Sequence, residues 1–396
     1  MKILHITTVD IGGAYKAAYR LHESMTLNGL DSQILVRTRR HSDGRTEEVF
    51  RNPVQAFVSK GKNGINKIYA RGMIANDKFG TDVSKHSLVC EADVIVLHWI
   101  NSFLSYESIL RLGKLGKHIV WVMHDMWPFT GGCHYDDYCG RFEKRCGNCP
   151  MIRGEKEMDL SRKNFLDKMD MMRRVDITMA GPSQWIVGQA QKSEILSDKK
   201  ICYMPNMLNT SVYRPVADKE KLRKRYGISG GKKVVLFGAA DNGTENEKKG
   251  FRYLREAFLY LAPEKYQLMI FGNAGMNLGL PDELEIIRMG YVSDESKLIE
   301  LYNLADVLAN PSNQEVFGYT VCEAMACGTP VVGFPVGGIA EQITHEVNGY
   351  LARFHDAEDL ARGIEFCSEH TDVLGEAACQ AALQYSYAKA WYQGVI

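Results

Sequence analysis

No charge of either sign prevails in this chain of 396 residues: Lys and Arg total 48, and so do Asp and Glu. That balance argues against a nucleic-acid partner, which asks for a basic surface. No window approaches the length of a membrane-spanning helix. The opening residues, MKILHITT, have one Lys and no small-residue cleavage site. They read as a first strand, not a secretory signal, and the cytoplasm is the expected location. The ten cysteines are then expected to stay reduced. No Asp-x-Asp occurs anywhere, and no turn carries three glycines at dinucleotide spacing. The second absence disfavours a NAD-dependent dehydrogenase.

What is present is ordinary globular composition, 45% hydrophobic and 24% charged, over a length that calls for two domains. Met1 to Thr8 reads as a strand, Asp10 to Gly13 as a glycine-rich turn, Ala14 to Leu27 as a helix and Gln33 to Arg37 as a second strand. Such a start implies a doubly wound α/β sheet. Gly12 and Gly13 are either a plain tight turn or a backbone surface close to a ligand phosphate or acceptor. Ala92 to Leu97 and Ile119 to Met123 are further strands, ending in His98 and His124. Val234 to Phe237 begins a second sheet.

The most informative stretch is Asn310 to Ile343, NPSNQEVFGYTVCEAMACGTPVVGFPVGGIAEQI. Glu315 lies in the loop leaving a short apolar strand, and Glu323 lies near the start of the following helix. Gly328 sits where a helix C-terminus belongs, and Pro330 blocks continuation. A helix N-terminus beside Gly318, Tyr319 and Thr320 offers unpaired N–H groups that suit a phosphate. A carboxylate suits sugar and ribose hydroxyls, because it accepts two hydrogen bonds at once.

This stretch resembles the signature of the GT-B glycosyltransferases of family 4: Glu, seven residues, Glu, then EAMACGTPVV and a Gly-Gly turn. The resemblance implies two Rossmann-like doubly wound domains facing a central cleft. Their expected bounds are 1–208, with a crossover helix over about 382–396, and 209–381. It implies a retaining transferase that uses a nucleotide-diphosphate sugar donor and a glycan or lipid-linked acceptor, in bacterial surface-polysaccharide assembly. His124 is then expected to face the donor sugar, with Glu315 on the same sugar as its catalytic partner. Glu323 is expected on the ribose. Gly12, Gly13, Gly318, Tyr319 and Thr320 are expected to line the donor site. The family's Gly-Arg…Lys-Gly loop holds the diphosphate with two cations. Lys249 matches the second, but Ala239 stands where the Arg is expected, which either weakens the phosphate site or shifts the task to Lys248 or Arg252. With no Asp-x-Asp, Lys249 and the helix start are expected to serve without a catalytic metal.

Two segments fall outside that pattern. Cys133, Cys139, Cys146 and Cys149 fit structural zinc, disulfides or plain loop cysteines; their C-x-x-C end matches half a zinc site and a reducing compartment disfavours disulfides. Residues 51–78 are basic with interspersed apolar residues, and read either as a solvated segment or as a peripheral contact with anionic lipid at the inner face of a membrane. Two other classes compete with transfer: an epimerase or hydrolase of nucleotide sugars on the same fold, and a non-catalytic module that binds them.

Overall fold

A computed structural model of the chain describes residues 1–40, 46–49, 80–152, 154, 156–228, 231–239 and 243–396. The candidate lipid-contact segment 51–78 lies outside these residues. Two compact units divide the chain. The first holds Met1–Met207 together with Ala390–Ile396, and the second holds Leu208–Lys389.

The first unit is built on seven parallel strands: β1 (Lys2–Val9), β2 (Asp31–Thr38), β3 (Thr46–Glu48), β4 (Val94–Leu97), β5 (His118–Val122), β6 (Thr178–Gly181) and β7 (Ile201–Tyr203). Their order is β3-β2-β1-β4-β5-β6-β7. Apolar runs such as Val94–Leu97 are buried along their whole length, as strands covered on both faces must be. The sheet order reverses between β1 and β4. Ligands of doubly wound sheets bind beyond the carboxyl ends at such a switch point.

The second unit repeats the plan with β8 (Lys233–Ala239), β9 (Tyr266–Gly272), β10 (Glu285–Gly290), β11 (Val307–Asn310), β12 (Val331–Gly333) and β13 (Gly349–Leu351). The order is β10-β9-β8-β11-β12-β13, again all parallel, and the switch point lies between β8 and β11. Both sheets are therefore doubly wound, as the strand and helix pattern implies.

Two local expectations need correction. The glycine-rich turn is shorter than expected: Gly12, at a left-handed φ of +86°, swings the chain into the helix Gly12–Leu27, and Gly13 already lies in its first turn. The segment 382–396 is not one crossover helix. Helix Thr371–Ala382 gives way to three short 3-10 turns, and Ala390 adopts a left-handed φ of 43° that no α-helix tolerates. Within the first unit, His118 Nε2 lies 3.0 Å from the carbonyl of Val395 in this last segment.

Candidate functional site

In the second unit, the loops that leave β8 and β11 are stitched together at the switch point. Asn313 donates its backbone N–H to the carbonyl of Lys248 (2.9 Å) and its side-chain amide to that of Glu247 (2.8 Å). Gly250 makes this approach feasible. It sits at a φ of +68°, and a Cβ there would meet the Pro311 carbonyl oxygen at 1.8 Å. The consequence is that Lys249 Nζ and Glu315 Oε2 stand 2.9 Å apart. Two residues 66 positions apart in sequence thus form one ion pair.

The helix Tyr319–Ala326 begins beside that pair. Its N-cap is Gly318 at a φ of +84°, with no side-chain cap and no acid in the first turn. Neither a cap side chain nor an acid of its own first turn thus competes with an anion at this helix start. Gly338 donates to the carbonyl of Glu315 (3.1 Å), and Gln342 donates to that of Phe317, so the Gly-Gly turn holds the loop from behind. Thr320 Oγ1 accepts from the Asn310 amide at 3.1 Å, and Tyr319 packs edge-on against Phe317. Glu323 is fully buried and accepts from the Tyr302 hydroxyl at 2.7 Å. Burial, and then the Glu323 charge, push the Tyr302 phenol well above its ordinary value. Arg252 does not join Lys249: its guanidinium donates to the Tyr253 hydroxyl and lies over that ring, 4.5 Å from the centroid.

In the first unit, three imidazoles cross the carboxyl edge of the sheet. His5 lies on β1, His98 follows β4 and His124 follows β5, which are adjacent strands. His5 Nδ1 is 2.9 Å from His98 Nε2, and His98 Nδ1 is 2.9 Å from His124 Nε2. Successive ring centroids are 5.2 Å apart, close to the spacing of about 4.8 Å between strands. His5 and His98 are buried, and His124 is partly exposed at the outer end. Burial pulls His5 down to about 3 and His124 to about 4, and it holds His98 well below the ordinary value, so all three are neutral at pH 7.

The sequence profile of the family described as glycosyl transferases group 1 matches residues 218–378. An uncharacterized glycosyltransferase of Methanocaldococcus jannaschii is 34% identical over 287 residues, 66% of this chain and 70% of that protein. The chain belongs to the group 1 glycosyl transferases. A D-inositol 3-phosphate glycosyltransferase of Corynebacterium aurimucosum is 23% identical over 402 residues, covering 96% of this chain and 89% of the relative. Among solved structures, HepE of Anabaena in complex with UDP-glucose superposes with a TM-score of 0.66 at 16% identity, covering 99% of this chain and 98% of that one. The sucrose-phosphate synthase of Thermosynechococcus elongatus also gives 0.66, at 18% identity, covering 100% and 97%. At such identities the structural likeness speaks to the fold, which is GT-B.

Set in this glycosyltransferase, the expected residues fall into distinct places. Lys249, Glu315, Gly318, Tyr319 and Thr320 gather at the second sheet's switch point, with Glu323 behind them in the core. His124 heads the histidine chain of the first sheet. Gly12 and Gly13 are exposed at a helix start after β1, with open space where side chains would be. Sequence reasoning passed over His5 and Asp125. Asp125 accepts from Trp99 Nε1 (3.0 Å), His134 Nδ1 (2.6 Å) and the Trp127 amide (2.8 Å). Burial raises the Asp125 carboxyl, but His134 and the Trp127 N–H outweigh it and hold the group below its ordinary value. An HDMW run after a strand is the signal that could have marked it.

The four loop cysteines of the glycosyltransferase do converge. Cys133, Cys139, Cys146 and Cys149 line one cavity with Asp136 and Ser161, and all four are free thiols. Gly131 donates its N–H to Cys146 Sγ at 3.3 Å. The loop reaches this shape through left-handed residues, among them Asp137, Tyr138, Arg145, Cys146 and Asn148. Burial pushes Cys133 and Cys146 up to about 12, so both stay protonated. Among the described residues, no three His, Cys, Asp or Glu side chains are arranged as a metal site.

Proposed function

We propose that this protein is a retaining transferase of family 4 that moves a sugar from a nucleotide-diphosphate sugar to a glycan or lipid-linked acceptor. The observation that carries the reading is the Lys249–Glu315 pair, 2.9 Å across, beside the uncapped start of the helix Tyr319–Ala326. Lys249 and the first-turn amides hold the diphosphate and take up the charge that develops as the anomeric C–O bond breaks. The electron pair of that bond stays with the departing nucleoside diphosphate. An acceptor oxygen forms the new bond on the same face and passes its proton to the departing diphosphate oxygen. Glu315, released from Lys249, accepts from hydroxyls of the donor sugar. His124 contributes a hydrogen bond to that sugar. The ribose role expected of Glu323 needs an oxygen that a ligand can touch; with its carboxylate buried on Tyr302, Glu323 serves instead to anchor the helix.

The superposition on a protein described in complex with UDP-glucose supports a nucleotide-sugar donor. A glycan or lipid-linked acceptor in surface-polysaccharide assembly is supported by the signature stretch. A small phosphorylated polyol is the second reading, favoured by the relative named D-inositol 3-phosphate glycosyltransferase. Among the described residues no helix is long and apolar enough to cross a membrane. The deciding experiment incubates the protein with a panel of nucleotide-diphosphate sugars and acceptors of both classes, and follows products by mass spectrometry and NMR. Transfer with the anomeric configuration kept is expected. Free sugar without transfer, or tight donor binding with no turnover across the panel, overturns the reading.

A further inference from the structure

We infer that His98 and His5 are positioning residues that lock His124 in a single tautomer, with Nδ1–H presented outward as a hydrogen-bond donor. The inference rests on His124 meeting the donor sugar, and it adds which atom does so and in which role.

A neutral imidazole has one N–H and one lone pair. Three neutral rings therefore carry three N–H protons. The two links, His5 Nδ1 to His98 Nε2 and His98 Nδ1 to His124 Nε2, are each 2.9 Å and each hold one proton. Because every ring has only one, the chain must run one way throughout. Either each ring donates outward and the third proton sits on His124 Nδ1, or each donates inward and it sits on His5 Nε2.

The surroundings of His5 decide between them. His5 is 0% exposed, and its Nε2 has no hydrogen-bond partner. The other ring beside it, His22, stands edge-on at 6.2 Å between centroids and directs its Nδ1 to Ser32 Oγ instead. An N–H buried without an acceptor is a rarer and costlier defect than an acceptor left without a donor. The inward tautomer would create that orphan N–H, whereas the outward one leaves only a lone pair. The outward chain therefore prevails: His5 Nδ1–H donates to His98, and His98 Nδ1–H donates to His124 Nε2. Since Nε2 of His124 is occupied, its available atom is Nδ1, and that atom bears a proton. His124 then serves the reaction as a donor to an oxygen of the sugar or its departing group, and not as a base at Nδ1.

Strand register explains why three rings can be held so tightly. His98 donates its backbone N–H to the carbonyl of Ile6 at 2.9 Å, which fixes it one strand from His5. His124 follows β5, which pairs with β4 in parallel. The rings are thus spaced by the sheet and not by flexible loops.

The test is a long-range proton–nitrogen NMR correlation on full-length protein labelled with nitrogen-15 at histidine, recorded near pH 7. The His124 signals, assigned through their loss in His124→Asn, are expected to show a protonated Nδ1 and a bare Nε2 in the native chain. A protonated Nε2 there overturns the inference. Kinetics add a second reading. His98→Leu removes both links and is expected to lower kcat about tenfold, with the donor KM little changed. His98→Gln can accept from His5 and donate to His124, and is expected to recover most of the loss. Equal losses in the two variants overturn the inference as well. Binding of a nucleoside diphosphate is measured in parallel. Its absence in the native protein would refute the donor-site reading while leaving the tautomer result standing, so the two failures are distinguishable.

Discussion

The two switch points of this glycosyltransferase share a topology and differ in electrostatics. At the second sheet, a cation, a carboxylate and a helix start meet, with Lys249 and Glu315 2.9 Å apart. At the first sheet, three imidazoles are linked while neutral, since burial holds each below its ordinary value. The charged edge is suited to exchange one ionic partner for another when a diphosphate arrives. The neutral edge is suited to hold one direction of hydrogen bonding, and it resists charge. The first should therefore respond to ligand charge and the second to pH.

The largest expected effect breaks the neutral edge with acid. A folded-state imidazole below its unfolded value contributes stability that is whole above about pH 6.5, because neither state then binds a proton. As pH falls below that value the unfolded chain takes up protons that the folded chain refuses. The loss is about 1.4 kcal/mol per pH unit for each imidazole, until the folded groups themselves titrate. For His124 and His5 that end comes at about 4 and about 3. All five tryptophans (Trp99, Trp121, Trp127, Trp185 and Trp391) belong to the first unit, so tryptophan fluorescence reports that unit alone. Urea midpoints followed by fluorescence at pH 7, 6, 5 and 4 are expected to drop steeply. A flat series would remove the neutral histidine chain from the account.

Next in size is the loss of the cation. Lys249→Ala removes a charge-assisted contact worth about 1.5–3 kcal/mol, so nucleoside diphosphate binding is expected to weaken by about 10- to 100-fold. His124→Asn is expected to leave that binding within about twofold, since the hydrogen bond proposed for His124 goes to the sugar. Isothermal titration with the nucleoside diphosphate separates the two. Similar losses in both variants would erase the distinction between the edges.

A smaller effect compares the glycines. Gly250→Ala places a Cβ 1.8 Å from the Pro311 carbonyl at a φ of +68°, whereas Gly12→Ala meets open space at a φ of +86°. Both variants carry the left-handed penalty of about 1–2 kcal/mol, and only the first adds a backbone clash. Calorimetry is expected to show Gly250→Ala several degrees below Gly12→Ala in melting temperature. Equal shifts would mean that the loops from β8 and β11 can separate without cost.

The contrast also explains what could be read from residues alone. Asn310 to Ile343 is contiguous, so its strand, helix, capping glycine and both acids are visible together, and the structure returns a helix at Tyr319–Ala326 with Gly328 left-handed just past its end. The family pattern marked Lys249 and Glu315 separately, but neither their ion pair nor the backbone stitching through Asn313 was legible in it. The histidine chain spans separations of 93 and 26 residues and exists only because the sheet order sets β1, β4 and β5 side by side. A lone histidine after a strand carries no sign of that arrangement. Glu323 was equally opaque: its position on the helix was legible, but its burial on Tyr302 depends on the helix Glu295–Leu304 packing behind it. The tail misled because Ala, Leu and Gln favour a helix locally, while the left-handed Ala390 is imposed by the fold.

The smallest expected effect tests the charged edge from its other side. Glu315→Gln keeps the shape of the side chain but removes the charge that Lys249 faces. Because the pair is partly exposed, its attraction is modest, about 0.2–1 kcal/mol. A nucleoside diphosphate that must displace Glu315 from Lys249 should then bind up to about fivefold more tightly to the variant. Sugar transfer should nonetheless fall, since an amide accepts fewer hydrogen bonds from the sugar than a carboxylate does. Tighter product-like binding with slower turnover is the pattern expected of a carboxylate that guards the cation until the donor arrives. Weaker binding in Glu315→Gln would show instead that Glu315 holds Lys249 in place for the phosphate, and the two residues would then act as one unit and not as competitors.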